Sequence, residues 1–291
     1  MSVFIISSTE DPAGTNIKKQ LLRLTSWEEQ ISFYDVPILS FPEVDDVYLI
    51  TIPDRTIFHD NLDVEISKVL GKKPDMLLYL SRHSSKTGKP SLTAHPIGNY
   101  GPADFGGKPH TLVPAAPRFM THLIRRIHEK HRMSRLGYQV CFEVTHHGPY
   151  LSTPTVFVEV GSTEVEWHLS EPAQVVATAV YDILKENRSA MDADAEIPVL
   201  LGIGGGHYAP RFTDIILERD AAFGHMIPAY HVDAGNITID SVKTAISQTP
   251  DISGVYIHSK GLKKPQVRLF KEMLADLDIP VISSKDLPLL S

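Results

Sequence analysis

Cysteine is almost missing from this chain of 291 residues: Cys141 stands alone. A single thiol excludes a disulfide framework and any cysteine-based zinc motif, and it suits a reducing cytoplasm, the expected location. Long apolar runs are missing as well. None approaches the roughly 20 residues a helix needs to cross a bilayer, so no membrane role is expected. Met1 to Ser8 lack a basic n-region and alternate like a strand, and are read as structure rather than as a signal peptide. Positive charge is in deficit, with 28 Lys and Arg against 35 Asp and Glu and a formal net charge of −7. Any binding to nucleic acid must then use local basic patches.

Several catalytic signatures are absent too. There is no G-x-S-x-G elbow for a serine nucleophile and no H-E-x-x-H zinc helix. The stretch Gly202 to His207 fails as a dinucleotide fingerprint, because His207 stands where the third glycine is required. Gly101 to Lys108 fails as a P-loop, because Gly107 stands where lysine is needed.

What the chain has is histidine, 14 in all. With one cysteine, a transition-metal site would have to be built from imidazole and carboxylate. Short apolar runs alternate with helix-period stretches, the pattern of a three-layer α/β/α fold around a largely parallel, mixed sheet. Strands are expected at Val3–Ser7, Ile31–Val36, Val47–Ile52, Met76–Leu80, Gln139–Val144, Thr155–Val160, Val199–Ile203, His225–Ala229 and Gly254–His258. Helices are expected to begin at Asn16, Asn61, Pro117, Pro172, Phe212, Asp240 and Pro265. Residues 1–291 are read as one large α/β domain, with a smaller C-terminal subdomain over 231–291 as a further expectation. Ser81 to Ala116 is rich in glycine and proline and reads as a long loop, of the kind that is either functional or plain surface. It carries His83, His95, Asn99 and His110.

Four apolar runs end in a histidine among small or polar residues: His83, the pair His146 and His147, His207 and His258. In open α/β sheets, ligands bind just beyond the carboxyl ends of the strands, so these imidazoles are expected to converge if the strands are parallel neighbours. Glu143 sits inside an otherwise apolar run, where an unpaired carboxylate would be costly. It is either half of a structural Glu–Arg pair or an acid in the crevice, as general base or metal ligand. Each histidine alone reads as a satisfied polar residue; their joint placement favours a metal. The preferred ligands are His83, His147 and His207, then His146 and Glu143. Three such donors with one open position make a catalytic zinc centre. The turn Gly204, Gly205 and Gly206 either packs tightly or presents amides to an oxyanion or phosphate.

Basic residues cluster twice. Arg118, Arg125, Arg126, Lys130, Arg132 and Arg135 share a helix whose apolar stripe is Phe119, Met120, Leu123, Ile124 and Ile127. Lys260, Lys263, Lys264, Arg268 and Lys271 form a second run. Both are either solvated faces or phosphate anchors for RNA.

Ser81 to His83, His95 with Gly98-Asn99 leading to Gly106-Gly107, Glu143 to Pro149, Gly204 to Thr213 and the opening Thr9 to Asn16 together resemble the archaeal and plant type of D-aminoacyl-tRNA deacylase. The likeness runs over essentially the whole chain. It implies a zinc-dependent hydrolase, with one or two Zn2+, that cleaves the ester between a D-amino acid and the 3′ end of tRNA. It also implies action on aldehyde-modified D-aminoacyl-tRNA, and a phosphorylase/hydrolase-like fold with likeness to peptidyl-tRNA hydrolases. In the reading that follows, His83, His147 and His207 hold the metal, and Glu143 and His146 serve catalysis. His95, Asn99, Gly204, Gly205, Gly206, Arg125, Arg126 and Lys260 contact substrate or tRNA, and a monomer is the working expectation. Two rival readings are a zinc peptidase or amidohydrolase acting on small D-amino-acid derivatives, and a non-catalytic RNA-binding module with structural histidines.

Overall fold

The computed structural model describes residues 1–186 and 196–290. Its strands are β1 (Val3–Ser8), β2 (Glu28–Phe33), β3 (Val36–Ser40), β4 (Val47–Ile52), β5 (Met76–Arg82), β6 (Ser91–His95), β7 (Gln139–Phe142), β8 (Thr155–Gly161), β9 (Val199–Ile203), β10 (Ala222–Ile227) and β11 (Ile252–Ile257). The helices are α1 (Pro12–Leu21), α2 (Leu62–Leu70), α3 (Pro117–Ser134), α4 (Glu164–His168), α5 (Ser170–Lys185), α6 (Pro210–Glu218), α7 (Ala229–Asp233), α8 (Ile239–Ser247) and α9 (Lys264–Asp276).

A large sheet runs β2-β3-β4-β1-β5-β8-β6-β7, and a smaller one runs β10-β9-β11. The smaller sheet is parallel throughout. In the larger, the pairings of β1 with β4 and β5, of β5 with β8 and of β6 with β7 are parallel, whereas β6 opposes β8. The fold is therefore mixed α/β. Apolar side chains on one face of the large sheet, among them Leu78, Leu80 and Val158, pack with Ile17, Leu123 and Val180 of α1, α3 and α5. Those on the other face, Phe4, Ile6, Tyr79 and Phe157, pack with Leu62 and Ile66 of α2. The predicted stripe of α3 is buried as its periodicity requires. Phe212 and Ile216 of α6 and Phe223 of β10 extend the same core toward the smaller sheet.

Two expectations change. The strand expected at 31–36 is instead the end of β2, a turn at Tyr34 and Asp35, and the start of the antiparallel β3. The long loop after Ser81 contains β6, which reads as Ser-Leu-Thr-Ala-His and has no apolar run to announce it. That strand is inserted between β8 and β7, buried along its whole length. The histidine-bearing strands are consequently not all parallel neighbours; only β9 and β11 pair directly. β8 and β6 separate β5 from β7, and β9 and β11 belong to the other sheet. The smaller sheet draws on residues from both sides of position 231.

A row of registered residues crosses the large sheet on its α2-facing side: Ser81 of β5, Glu159 of β8, Thr93 of β6 and Cys141 of β7. The next row holds Tyr79, Phe157 and His95. Registered partners share a face. The sheet itself thus sets Glu159 and His95 beside the segment that carries Glu143, whose amide continues the ladder onto the Ala94 carbonyl at 3.1 Å.

Candidate metal centre

Glu143 is fully buried. Phe142 and Val144 on either side of it point into the opposite core, so alternation turns the carboxylate toward the polar row. His83 leaves the end of β5 and brings Nδ1 to 3.0 Å from Glu143 Oε1 and 3.3 Å from Glu159 Oε2. His207 arrives from the smaller sheet. The Val144 amide donates to the His207 carbonyl at 3.0 Å, a bridge that joins the loop after β9 to the segment after β7. His207 Nε2 then lies 2.9 Å from Glu143 Oε2. His146 Nε2 lies 3.5 Å from the same oxygen.

These distances suit hydrogen bonds but the directions do not. Neither oxygen of Glu143 receives a properly aligned hydrogen bond, and His95 Nε2 is likewise without one. Buried polar atoms left this way are rare and call for a partner. A cation among the nitrogens would supply it, so the residues fit a metal. Two separate donor groups meet here, His83, Glu143 and His207, and His95, His146 and His147, and a third set, His95, Glu143 and Glu159, shares one member with each. In each group the donor atoms lie within 4.8 Å of one another.

The second histidine group is prepared as ligands are. His95, His146 and His147 each set Nδ1 against a backbone carbonyl, of Pro96 at 3.1 Å, Val144 at 2.7 Å and Gly148 at 2.6 Å. That fixes the proton on Nδ1 and turns Nε2 of each ring toward the cluster, with the lone pair free on His146 and His147. The rings form a continuous cluster, with centroids 4.1 Å apart for His95 and His146, 4.6 Å for His146 and His207, and 5.5 Å for His83 and His207.

The electrostatics separate the members. Burial alone would drive protons off His83, but the Glu143 and Glu159 carboxylates override it and hold its pKa at about 11. His95 is raised in the same way, against burial, by Glu159 first. Burial, reinforced by His95, pushes His147 down to about 4 and His146 well below its ordinary value. Burial would also protonate the carboxylates. His207 and His83 nevertheless keep Glu143 well below the usual range, and His83 and His95 keep Glu159 at about 2. Without a cation, the His83 imidazolium is the counter-charge that keeps two buried carboxylates ionised.

The cluster forms one end of a pocket of ≈ 750 Å³. His83, His146, His147, Glu159 and His207 line it, and the side chain of His207 is 38% exposed.

The family model for D-aminoacyl-tRNA deacylase matches residues 70–282, a span that contains every residue of the cluster. A D-aminoacyl-tRNA deacylase of Pyrococcus furiosus is 34% identical over 280 residues, covering 96% of this chain and 98% of that one. The chain belongs to the D-aminoacyl-tRNA deacylase family. A crystal structure of a conserved protein of unknown function covers 99% of both chains with a TM-score of 0.88 and 31% identity. A nucleosidase of Campylobacter jejuni covers 64% of this chain with a TM-score of 0.42 and 11% identity, a likeness that carries no argument.

In this deacylase-family chain the expected ligands divide. His83 and His207 share Glu143, whereas His147 falls in the other group with His95 and His146. His258 stays apart, beside Gly205 and Gly261. Asn99 is buried, and its amide donates to the carbonyls of Gly106 at 2.9 Å and Lys108 at 3.3 Å, clamping one pocket wall. Gly204 and Gly205, at φ of 102° and 96°, make the turn that leads through Gly206 to His207. Lys260 is exposed in a short turn over Ser259–Gly261.

Arg125 and Arg126 lie on α3, outside the pocket lining, and both are occupied. Arg125 donates to the carbonyls of Ile216 and Arg219 at 2.8 and 2.9 Å and pairs with Asp220. Arg126 pairs with Glu129, Asp182 and Glu186.

Two members of the cluster escape sequence reasoning. Glu159 carries the same signal as Glu143, an acid within a strand of apolar residues, and that signal could have found it. Tyr208, whose hydroxyl meets His83 Nε2 at 2.9 Å, carries none beyond its place next to His207.

Proposed function

We propose that the chain hydrolyses the ester between a D-amino acid and the 3′ end of tRNA, with zinc held by the histidine and carboxylate cluster. Membership in the deacylase family supports the reaction class and makes tRNA the substrate. The observation that carries the chemistry is Glu143. A fully buried carboxylate with no aligned hydrogen bond faces imidazoles from three distant segments, behind the histidines that line a pocket large enough for an aminoacylated nucleotide. Imidazole and carboxylate donors without thiolate suit zinc.

His83, Glu143 and His207 are assigned as one ligand set, and His95, His146 and His147 as the site of a second ion. Bound zinc supplies a Lewis acid and a water of lowered pKa. The protein residues do the rest. Glu159, ionised and lining the pocket, faces Nδ1 of His83 at 3.3 Å and puts its other oxygen 3.8 Å from Nε2 of His95. His146 keeps Nε2 unprotonated at neutral pH, as holding the second ion requires, and places it 3.5 Å from Glu143. The wall that Asn99 clamps selects the D-hand by shape, because hand alters no functional group.

Deacylation of D- and L-charged tRNA by protein stripped with a chelator and then reloaded with zinc tests this. The D-ester should be cleaved and the L-ester spared, with activity lost on stripping and restored on reloading. Full activity in thoroughly stripped protein would remove the metal from the reading. Equal rates on free D-amino-acid esters and on charged tRNA would favour a small-ester hydrolase instead.

A further inference from the structure

The pocket mouth holds features that the ester chemistry does not use. Phe105 lines the pocket and is 66% exposed. A lone exposed phenylalanine is ordinary, but this one is displayed from a rigid loop. Its carbonyl accepts from the Gly148 amide at 3.1 Å, one residue beyond His147. The next residue, Gly106, has φ of 80° and packs so tightly that a side chain there would strike the Ile57 carbonyl. Asn99 holds the Gly106 carbonyl from the other side. Among the described residues no ring and no cation packs on Phe105. The loop thus holds an aromatic face open to the pocket beside the histidine cluster.

Arg55 and Arg82 line the same pocket. The guanidinium of each lies over an aromatic ring, Phe58 at 4.9 Å and Trp167 at 5.2 Å, and neither has a carboxylate at ion-pair distance among the described residues. The contrast with α3 is informative, because there Arg118, Arg125, Arg126 and Lys130 all face acids. Glu10, Asp11, Asp104 and Glu159 also line the pocket, Asp11 within electrostatic reach of Arg82, so the ground favourable to an anion is confined to the two guanidinium groups. An open aromatic face sharing a pocket with guanidinium groups outside any ion pair is the arrangement that receives single-stranded nucleic acid, a base on the ring and phosphates on the arginines.

We infer that the pocket mouth is a nucleotide subsite in which Phe105 stacks on the terminal base of the tRNA 3′ end while Arg55 and Arg82 hold the adjoining phosphates. This rests on the deacylase reading above and adds to it the residues that seat the nucleotide. The probe is an RNA hairpin ending in CCA, with 2-aminopurine in place of the last adenine, titrated into the zinc-loaded full chain. Wild type should quench the fluorophore on binding. Phe105→Ala should lose the quench and bind about 10-fold more weakly, and Phe105→Trp should restore both. KM for D-phenylalanyl-tRNA should follow the same order. Arg55→Ala and Arg82→Ala should each lower the slope of log affinity against log salt by about 0.7. A thermal melt of each variant checks folding. Equal quenching by wild type and Phe105→Ala, or none by wild type, overturns the stacking site, and unchanged salt slopes overturn the phosphate contacts. Hairpin binding with quench but no deacylation would leave the subsite standing and sink the hydrolytic reading instead.

Discussion

Where α3 meets the smaller sheet, the buried imidazole of His225 uses both ring nitrogens. Nδ1 meets the Thr145 hydroxyl at 3.0 Å, and Nε2 donates to the Val113 carbonyl at 2.9 Å. Arg125 nearby spends its guanidinium on two carbonyls and Asp220. Behind the pocket wall, by contrast, Glu143 is just as buried, yet neither oxygen has an aligned donor, and His95 Nε2 is unmet as well. Both regions bury histidine and charge. A buried polar group left short of partners loses solvation without recovering it, so a folded protein retains one only where something else completes it. The seam is finished by the chain itself. The pocket is left for a ligand to finish. Substitution should therefore separate the two regions, with function lost in one and stability in the other.

The sharpest test is Glu143→Gln. The amide keeps the volume of the side chain but removes the charge opposite His83 and His207. Deacylation of D-charged tRNA should fall about 10²- to 10⁴-fold, the range expected when a group in acid–base or ligand chemistry is removed. Bound zinc, read by elemental analysis, should fall with it while the fold survives. Near-normal turnover with normal zinc would return Glu143 to a purely structural role and erase the contrast.

His225 gives the next largest effect, on the other side of the comparison. Burial pushes its pKa down from the ordinary 6.5 to about 4. The unfolded chain takes up a proton as pH falls through 6.5, and the folded chain resists until about 4. The stabilisation is complete above pH 6.5 and is lost on acidification toward 4, by about 3 kcal/mol in total. Urea unfolding of wild type and His225→Gln between pH 7 and 4.5 isolates this share, and the variant should show the shallower decline. Parallel declines would mean that His225 is not held neutral by the seam.

Much of this division was visible along the chain, and the part that was not has physical reasons. Central strands such as β1, β5 and β9 are buried on both faces, so their apolar runs mark them plainly. Glu143 stood out because an acid inside such a run has to be compensated. Glu159 broke an equally apolar run and was passed over. His95 was found as a residue but not as the end of a strand, since β6 gains its burial from β8 and β7 rather than from apolar composition. The union of His83 with His207 depends on the bridge between Glu143 and Tyr208, a contact across 65 positions that no periodicity encodes. The basic clusters were the least legible feature. The acids that neutralise α3 come from distant stretches, Asp182 and Glu186 on one side and Asp220 and Asp251 on another. Linear charge density cannot register them.

Arg125→Ala is the smallest effect expected and the most direct probe of that last point. Its side chain is 15% exposed, and it bonds carbonyls at the end of α6 and just beyond it. Removing the guanidinium leaves those acceptors and Asp220 short of a charged donor, which costs about 1.5–3 kcal/mol for hydrogen bonds of this kind. Part of that is recovered because Asp220 reaches solvent and can rehydrate. A loss near 2 kcal/mol in urea unfolding is expected, with no change in KM for charged tRNA, because the cation is already committed within the fold. A raised KM at wild-type stability would show the reverse, that α3 meets RNA through this arginine, and the line between a finished seam and an unfinished pocket would have to be redrawn through the helix.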